Sequence, residues 1–274
     1  MTYRLESVTK FFRQGRTNVC ALDGLTLQVA TGEHLALLGR SGAGKSTLFR
    51  LLNATIRPTS GVVAFEGRDV GAMPGAEIRA MRRRIGTVYQ QHNLVPALSV
   101  LDNTLAGALG RWSIGHTARA MIRPYKEDLD KALDALESVG LADKRHAQVL
   151  ELSGGQQQRV AIARVLMQDS QVILADEPVA SLDPGLADDI IRLLTRIAED
   201  SRRTLLVSVH RVDLARAYFP RVVGLRSGAV EFDAPPSEVH DMQLTKLYAT
   251  SRASSSREQH ESDVRPNVNC DCVR

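Results

Sequence analysis

Short apolar runs alternate with amphipathic segments along most of the chain. Three runs bounded by polar residues are typical of buried strands: HLALLG at 34–39, QVILAD at 171–176 and TLLVSV at 204–209. Two of them precede segments with the roughly 3.6-residue period of helices, KSTLFRLLN at 45–53 and LADDIIRLLTRIAE at 186–199. This alternation predicts an α/β fold with a mostly parallel, covered sheet.

Three further strand patterns lie outside this alternation. They read YRLESVTKFF at 3–12, LDGLTLQVA at 22–30 and GVVAFEGRDV at 61–70. Because these patterns are short and separated by polar turns, they predict an N-terminal antiparallel β layer beside the main sheet.

From about residue 94 to 159, helical patterns replace the strand patterns. The segments VLDNTLAGALG at 100–110 and EDLDKALDALESVG at 127–140 both have a helical period. We therefore predict one domain over residues 1–250, with a helical subdomain inserted at about 94–159. The polar remainder, 251–274, has no periodicity and is predicted to be a disordered tail.

Composition narrows the range of functions. Hydrophobic residues make up 43% of the chain, enough for a sizeable core. No run approaches the roughly 18 apolar residues of a spanning helix, and the first residues lack the apolar centre of a signal peptide, so we expect a cytosolic protein. The 35 basic and 31 acidic residues are nearly balanced. We interpret the one dense basic cluster, Arg82 to Arg84, as a solvated helix face rather than a nucleic-acid site.

The cysteines favour a reducing compartment. Cys20, Cys270 and Cys272 are too few for a disulfide framework. Cys270 and Cys272 have a weak metal-ligand spacing, but no histidine or further cysteine lies near them in sequence. We interpret this pair as part of a solvated tail.

A glycine-rich loop stands between the first apolar run and the first predicted helix. It fits the phosphate-loop pattern, and the candidate phosphate-binding residues are Gly39, Arg40, Ser41, Gly42, Ala43, Gly44, Lys45, Ser46 and Thr47. The glycines allow backbone N–H groups to close around phosphates at a helix N-terminus. Lys45 supplies a positive charge for the terminal phosphates, and Ser46 offers a hydroxyl to Mg²⁺.

Two adjacent carboxylates end the second apolar run. Asp176 and Glu177 lie at the carboxyl edge of a predicted strand, where an α/β sheet presents its ligands. Alone, such a pair is more often a helix cap. Together with a phosphate loop, the pair predicts that Asp176 holds Mg²⁺ and that Glu177 orients or deprotonates an attacking water.

The pentapeptide LSGGQ precedes another amphipathic helix, QQQRVAIARVLMQ. Ser153, Gly154, Gly155 and Gln156 place backbone amides at a second helix N-terminus, which predicts a second anion site. The same residues also fit an ordinary serine N-cap followed by flexible glycines. The pentapeptide alone leaves both interpretations open.

Five motifs occur in one order: GRSGAGKS, LSGGQ, VILADEP, ASLD and the histidine of VSVH. Over about residues 1–248 they resemble the ATPases of the ABC superfamily. The resemblance implies a phosphate-loop NTPase core whose helical subdomain carries the LSGGQ signature. It also implies that the chain hydrolyses ATP to ADP and phosphate with Mg²⁺ as cofactor.

Further roles follow from the resemblance alone. Phe12 resembles the aromatic residue that stacks on adenine, although Phe11 is an alternative and either residue fits a core position. Gln90 resembles the glutamine that senses Mg²⁺ and links the core to the helical subdomain, and Gln91 fits less well. His210 resembles the switch histidine that contacts the γ-phosphate, although a lone histidine after a strand is more often structural.

The resemblance also implies a head-to-tail homodimer that sandwiches two ATP molecules. Ser181 to Asp183 resemble the loop that crosses to the partner subunit, and Asp183 is placed near the nucleotide. The signature faces the phosphate loop of the other copy. Because the γ-phosphate contacts both sides, hydrolysis is expected to release the dimer.

Transport is the favoured use of such a motor. ABC ATPases that act on DNA usually carry a long coiled coil where this chain has only the segment between Gln90 and Ser153. A soluble phosphate-loop kinase or GTPase has no reason to carry LSGGQ. We therefore expect a peripheral protein on the cytoplasmic face of the inner membrane, with separate transmembrane permease subunits, an indirectly coupled periplasmic or extracellular solute-binding protein and no nucleic acid.

The cargo is suggested by resemblance only. The stretches QQHNLVPALSVLDNTLAGALGR at 90–111 and VSVHRVDLARAYFPRVVGLRSGAVEFDAPPSEV at 207–239 look most like the ATPases of phosphonate importers. Arg211 departs from these importers, which often have glutamine after the switch histidine. Phosphite, phosphate or an amino acid therefore stays open as the cargo.

Overall fold

The structure of the chain, a computed structural model, describes residues 1–15 and 17–249. The predicted tail at 251–274, with Cys270 and Cys272, lies outside these described residues. Within them, no helix combines the length and hydrophobicity that crossing a membrane requires.

A six-stranded sheet forms the centre of the described structure. In spatial order its strands are β10 (Ala229–Ala234), β9 (Arg221–Arg226), β3 (His34–Leu38), β8 (Thr204–Val209), β7 (Val172–Asp176) and β6 (Ile85–Val88). Neighbouring strands from β9 to β6 are parallel, and only the β9–β10 pair is antiparallel. The predicted mostly parallel sheet is therefore confirmed.

The N-terminal strands build a second, antiparallel sheet. Its order is β2 (Thr17–Val29), β1 (Tyr3–Gln14), β4 (Ser60–Phe65) and β5 (Arg68–Asp69). The long β1–β2 hairpin closes between Gln14 and Thr17. The chain start is fixed to the main sheet, because the hydroxyl of Thr2 lies 3.2 Å from that of Thr204, the first residue of β8.

Helices cover both faces of the main sheet. They are α1 (Lys45–Leu52), α2 (Gly75–Arg83), α3 (Val100–Leu105), α4 (Ile114–Ile122), α5 (Lys126–Ser138), α6 (Gly154–Gln168), α7 (Pro184–Asp200), α8 (Val212–Tyr218) and α9 (Asp241–Tyr248). Helices α3, α4 and α5 occupy the part of the chain for which the sequence predicts a helical insertion. The boundaries at 94 and 159 stay a prediction.

The core follows the alternation of side chains along each strand. In the fully buried strand β3, Leu35 and Leu37 face α1 and the antiparallel sheet. Ala36 and Leu38 face the opposite side, where α6 and α7 pack. Burial on both faces explains why the strands of this sheet read as continuous apolar runs.

The helical region is attached to the core through a close backbone contact. Gly107 follows α3, and a Cβ atom at this position would lie only 2.0 Å from the carbonyl oxygen of Arg164 in α6. Only glycine fits at that distance. Arg164 in turn donates to the carbonyls of His92 and Asn93, so α6 also fixes the loop after β6.

Candidate active site

The phosphate loop connects β3 to α1 and closes around the side chain of its own lysine. The Lys45 ammonium donates to the carbonyl oxygens of Gly39 at 2.8 Å and Arg40 at 3.1 Å. Burial lowers the pKa of Lys45, and the nearby carboxylates of Glu177 and Asp176 counteract this shift. The loop therefore holds a buried positive charge at the N-terminus of a helix, as phosphate binding requires.

Two glycines of this loop are required by close packing. Gly44 has φ +107°, and a Cβ atom there would lie 2.6 Å from the carbonyl oxygen of Ala21 in β2. A Cβ atom on Gly39 would lie 2.5 Å from the carbonyl oxygen of Leu225 in β9. The backbone amide of Gly228 also donates to the Ala43 carbonyl at 3.0 Å. The loop is thus held by backbone contacts on three sides.

Glu177 brings together the lysine of the phosphate loop and the histidine that follows β8. Its Oε1 lies 3.3 Å from Nζ of Lys45 and 2.6 Å from Nε2 of His210. Glu177 has φ +50°, a left-handed conformation that directs the chain sharply away from β7. Three residues far apart in sequence therefore meet at the carboxyl edge of the sheet.

A further polar residue at this edge, Ser208, lies in none of the motifs recognised in the sequence. Its hydroxyl donates to Oδ1 of Asp176 at 2.8 Å and accepts from the backbone amide of Glu177 at 2.8 Å. Ser208 is the one polar residue in the apolar run LLVSV, and it lies two residues before His210. That interruption of a fully buried strand is the signal that could have identified it.

The signature residues form a capping box in this structure. The Ser153 hydroxyl accepts from the Gln156 amide at 3.4 Å, and the Gln156 side chain accepts from the Ser153 amide at 3.1 Å. Gly155 packs beside Leu186 at the start of α7. The serine N-cap interpretation is therefore realised, and the anion-site interpretation of Ser153 to Gln156 stays a prediction.

Asp183 is also a helix cap here. Its carboxylate accepts from the backbone amides of Gly185 at 3.1 Å and Leu186 at 3.0 Å, and α7 then begins at Pro184. The segment of Ser181 to Asp183 thus lies beside the signature, since Leu182 approaches Gly154. Its contact with a partner subunit stays a prediction.

Other expected site residues stand apart from the group of Lys45, Glu177 and His210. Among the described residues, no hydrogen bond or ion pair links that group to Ser46, Gln90 or Phe12. Gln90 is exposed on the loop after β6. Phe12 is half-buried in β1, with the cations of Lys10 and Arg50 5.3 and 5.9 Å from its ring centre. Phe11 beside it is exposed.

The last described helix touches two of the site loops. The hydroxyl of Tyr248, in α9, donates to the backbone carbonyl of His210 at 3.2 Å. Arg40 of the phosphate loop donates to the carbonyl of Tyr248, also at 3.2 Å. Helix α9 therefore connects the phosphate loop with the segment that carries His210.

Comparison with known proteins identifies the family. The sequence profile described as ABC transporter matches residues 22–180. The chain belongs to the ABC transporter family. A phosphonates import ATP-binding protein of Nitratidesulfovibrio vulgaris is 43% identical to this ABC transporter chain over 245 residues, which cover 89% of the chain and 90% of that protein.

Two further relatives have the same description. The protein of Pseudomonas fluorescens is 43% identical over 255 residues, which cover 93% of the ABC transporter chain and 94% of the relative. The protein of Anaeromyxobacter dehalogenans is 46% identical over 237 residues, 86% of the chain. The chain spans 47% of the length of this last relative, so that relative is much longer.

Solved structures confirm the expected phosphate-loop NTPase fold. One solved structure is a dimeric ATP-binding cassette in a post-hydrolysis state, bound to ADP and Pi. It superposes with a TM-score of 0.76 at 32% identity, and the match covers 85% of this ABC transporter chain and 98% of the cassette. CbiO1 of Clostridium perfringens, described as part of the ABC transporter complex CbiONQ, superposes with a TM-score of 0.74 at 28% identity, and the match covers 90% of this chain and 95% of CbiO1. The predicted core, antiparallel layer and helical region therefore occur together in one known architecture.

Proposed function

We propose that the chain is the ATP-hydrolysing subunit of a membrane importer for phosphonates. The observation that carries this proposal is the identity of 43% to two phosphonates import ATP-binding proteins over about nine-tenths of both chains. The arrangement of Lys45, Glu177 and His210 at one sheet edge supports the ATPase part of the proposal. The cargo rests on the relatives alone, because no described residue of the motor need contact it.

We assign each residue of the group a step in hydrolysis. Lys45 neutralises charge on the β- and γ-phosphates, which replace part of its contact with Glu177. Glu177 accepts a hydrogen bond from the attacking water and takes its proton as the water oxygen bonds to the γ-phosphorus and the bond to the ADP oxygen breaks. Nε2 of His210 lies 2.6 Å from Oε1 of Glu177, and we assign to His210 the contact with the γ-phosphate.

The donors at this edge fit Mg²⁺. Asp176 offers a carboxylate at the end of β7, Ser46 an exposed hydroxyl in the first turn of α1, and Gln90 an amide oxygen after β6. All three are oxygen donors, the type that Mg²⁺ prefers. The ion supplies charge neutralisation between the β- and γ-phosphates when ATP is bound.

The remaining nucleotide contacts come from two other places. We assign adenine stacking to Phe12, whose half-buried ring lies near α1. We assign the signature, Ser153 to Gln156, and Asp183 to the ATP bound by a second copy. In the proposed head-to-tail homodimer each copy supplies its signature to the other, which is supported by the dimeric form of the similar cassette with ADP and Pi.

Exposed apolar side chains support a membrane partner. Of the thirteen large hydrophobic side chains that are exposed in the described part of the chain, eight lie between Tyr89 and Leu150, and Ile114 and Ile122 of α4 are exposed by about nine-tenths. Clustered apolar exposure marks contact surfaces. We assign this region to the transmembrane permease subunits, which places the chain at the cytoplasmic face of the membrane. A solute-binding protein acts through those subunits.

Growth on a phosphonate tests the proposed cargo. The gene is deleted in its host, and growth is measured with 2-aminoethylphosphonate, phosphite or inorganic phosphate as sole phosphorus source. We expect the deletion strain to fail to grow only when the phosphonate is the phosphorus source. Complementation with the wild-type gene should restore this growth, and complementation with Glu177→Gln should not. Unaffected growth on the phosphonate in a host without a second phosphonate importer would contradict the cargo, and failure on phosphite instead would indicate that oxyanion.

A further inference from the structure

The two bonds of Ser208 have a defined direction. An ionised carboxylate only accepts hydrogen bonds, so the single hydroxyl proton of Ser208 is given to Oδ1 of Asp176. The oxygen then accepts the backbone N–H of Glu177 through a lone pair. One buried hydroxyl is therefore bonded to both acidic residues of the candidate active site.

Strand register imposes this contact. Strands β7 and β8 are parallel, and Asp176 is paired directly with Ser208. Val172 and Leu174 precede Asp176 on the face of the sheet that α1 covers, and alternation places Asp176 on that same face. Ser208 is fully buried there. The fold thus fixes the hydroxyl beside Asp176 without help from a flexible loop.

The backbone amide of Glu177 lies at the start of a strained turn. A non-glycine residue at φ +50° holds its backbone in a strained region, which persists only when neighbouring groups fix it. Ser208 bonds the amide at the start of this turn, and the turn directs the Glu177 carboxylate toward Lys45 and His210. Loss of the hydroxyl would leave the amide without this partner.

We propose that Ser208 is a positioning residue for both acids of the site. It holds Oδ1 of Asp176, so that Oδ2, which has no hydrogen bond from the described residues, is presented to Mg²⁺. It also fixes the backbone from which Glu177 reaches the attacking water. The inference rests on the proposed ATPase function and extends it to a residue that acts through Asp176 and Glu177.

Three variants separate positioning from general stability. Ser208→Ala removes the hydroxyl, and Ser208→Thr restores one at the same position. Thr204→Val is the matched control, because Thr204 is a buried hydroxyl residue at the other end of the same strand and accepts from the Gly32 amide at 2.9 Å. Each variant is measured for Tm, for ATP affinity in EDTA, for Mn²⁺ affinity of the ADP complex by electron paramagnetic resonance, and for kcat against Mg²⁺ concentration.

We expect Ser208→Ala to bind ATP in EDTA as the wild type does. Its Mn²⁺ affinity and its kcat should each fall by about tenfold or more, the size expected when a hydrogen bond to a charged group is lost. Ser208→Thr should recover most of both values. Thr204→Val should lower Tm comparably while leaving both values within about twofold of wild type.

Two results would overturn the inference: unchanged Mn²⁺ affinity and kcat in Ser208→Ala, or equal losses in Thr204→Val. If Ser208→Ala does not fold, Ser208→Cys keeps a similar volume with a weak donor and is expected to show the same losses. Failure of the proposed function is separate, because the wild type would then lack ATPase activity, or Glu177→Gln would retain it.

Discussion

The ammonium nitrogen of Lys45 lies 3.3 Å from Oε1 of Glu177. The residue assigned to the phosphates thus contacts the residue assigned to the water. Since Lys45 is buried and its pKa is lowered by that burial, the carboxylate stabilises its charge. We expect the ATP phosphates to replace Glu177 as the anionic partner of Lys45, so that nucleotide binding releases the Glu177 carboxylate.

Replacing Glu177 with glutamine should therefore separate binding from hydrolysis. Glu177→Gln removes the anion that competes for Lys45, so ATP affinity should equal or exceed that of the wild type, while kcat falls by about a hundredfold or more. Calorimetry and phosphate release measure the two effects, and size-exclusion chromatography with ATP should show more dimer. Glu199→Gln, at an exposed position of α7, is the charge-matched control. Normal turnover by Glu177→Gln would remove Glu177 from its role.

Removing the Lys45 ammonium should weaken nucleotide binding itself. Lys45→Ala leaves the loop without its central donor to phosphate, and loss of such a charge-assisted contact corresponds to about tenfold or more in affinity. The measurement is a titration of ATP and of AMP, because AMP lacks the β- and γ-phosphates and should lose less. Equal affinity for ATP in Lys45→Ala and wild type would contradict the assigned loop geometry.

The aromatic residue that stacks on adenine can be decided by a paired substitution. Phe12→Ala should weaken ATP binding by about tenfold, the order expected for one lost base–aromatic stack. Phe11→Ala should change it little, because Phe11 is the more exposed of the two rings. Fluorescence titration with a ribose-labelled ATP measures both. A larger loss in Phe11→Ala would transfer the assignment to Phe11.

The half-buried phenol of Tyr248 predicts a difference at alkaline pH. Burial raises the pKa of Tyr248, so the folded state retains the phenol proton where the unfolded chain has lost it. The stability contributed by this phenol is present below about pH 10, the ordinary tyrosine value, and is lost as pH rises toward the higher folded value. Tyr248→Phe lacks it throughout.

Thermal unfolding between about pH 8 and 11 therefore measures this contribution. Tm of the wild type should fall more steeply than Tm of Tyr248→Phe over that range. Tyr3, whose pKa burial also raises, is present in both proteins and cancels. Parallel curves for the two proteins would show that the Tyr248 hydroxyl does not resist ionisation in the fold.

Removal of the predicted tail should leave the motor intact. A chain ending at Ala249 keeps every residue of the candidate site, so its ATPase rate and Tm should match those of the full chain within about twofold in rate. A large loss of activity would mean that residues 250–274 act on the core. The prediction that this segment is dispensable rests on its polar composition.

The central strands of the main sheet could be predicted from the sequence because both of their faces are apolar. β3, β7 and β8 lie between two layers, so each reads as an apolar run, which only Ser208 interrupts in β8 after its first residue. β6 did not stand out: its four residues, Ile-Gly-Thr-Val, contain a glycine and a threonine. β10 lies at the sheet edge, paired only with β9 among the described strands, and is mixed in polarity, as edge strands commonly are.

The site was predictable where a motif is local. The phosphate loop and Asp176–Glu177 are contiguous in sequence, and their positions followed from one strand each. The contacts of Ser208 with the two acids and of Tyr248 with His210 join residues 31 to 38 apart in sequence, and the contact of Tyr248 with Arg40 joins residues 208 apart. They depend on strand register and on where the last helix packs, so even the polar interruption at Ser208 does not reveal from the sequence which residues it contacts.

The first and last described residues of the chain lie at opposite ends of the strands of the main sheet. Thr2 meets the first residue of β8, whereas Tyr248 meets His210 just beyond its last residue. At about 3.3 Å per residue, that six-residue strand separates the ends by about 20 Å. A surface tether or bulky fluorophore attached at the N-terminus is therefore remote from the nucleotide, while one attached after Ala249 starts beside the phosphate loop. Immobilised or single-molecule measurements of this motor should be anchored through the N-terminus.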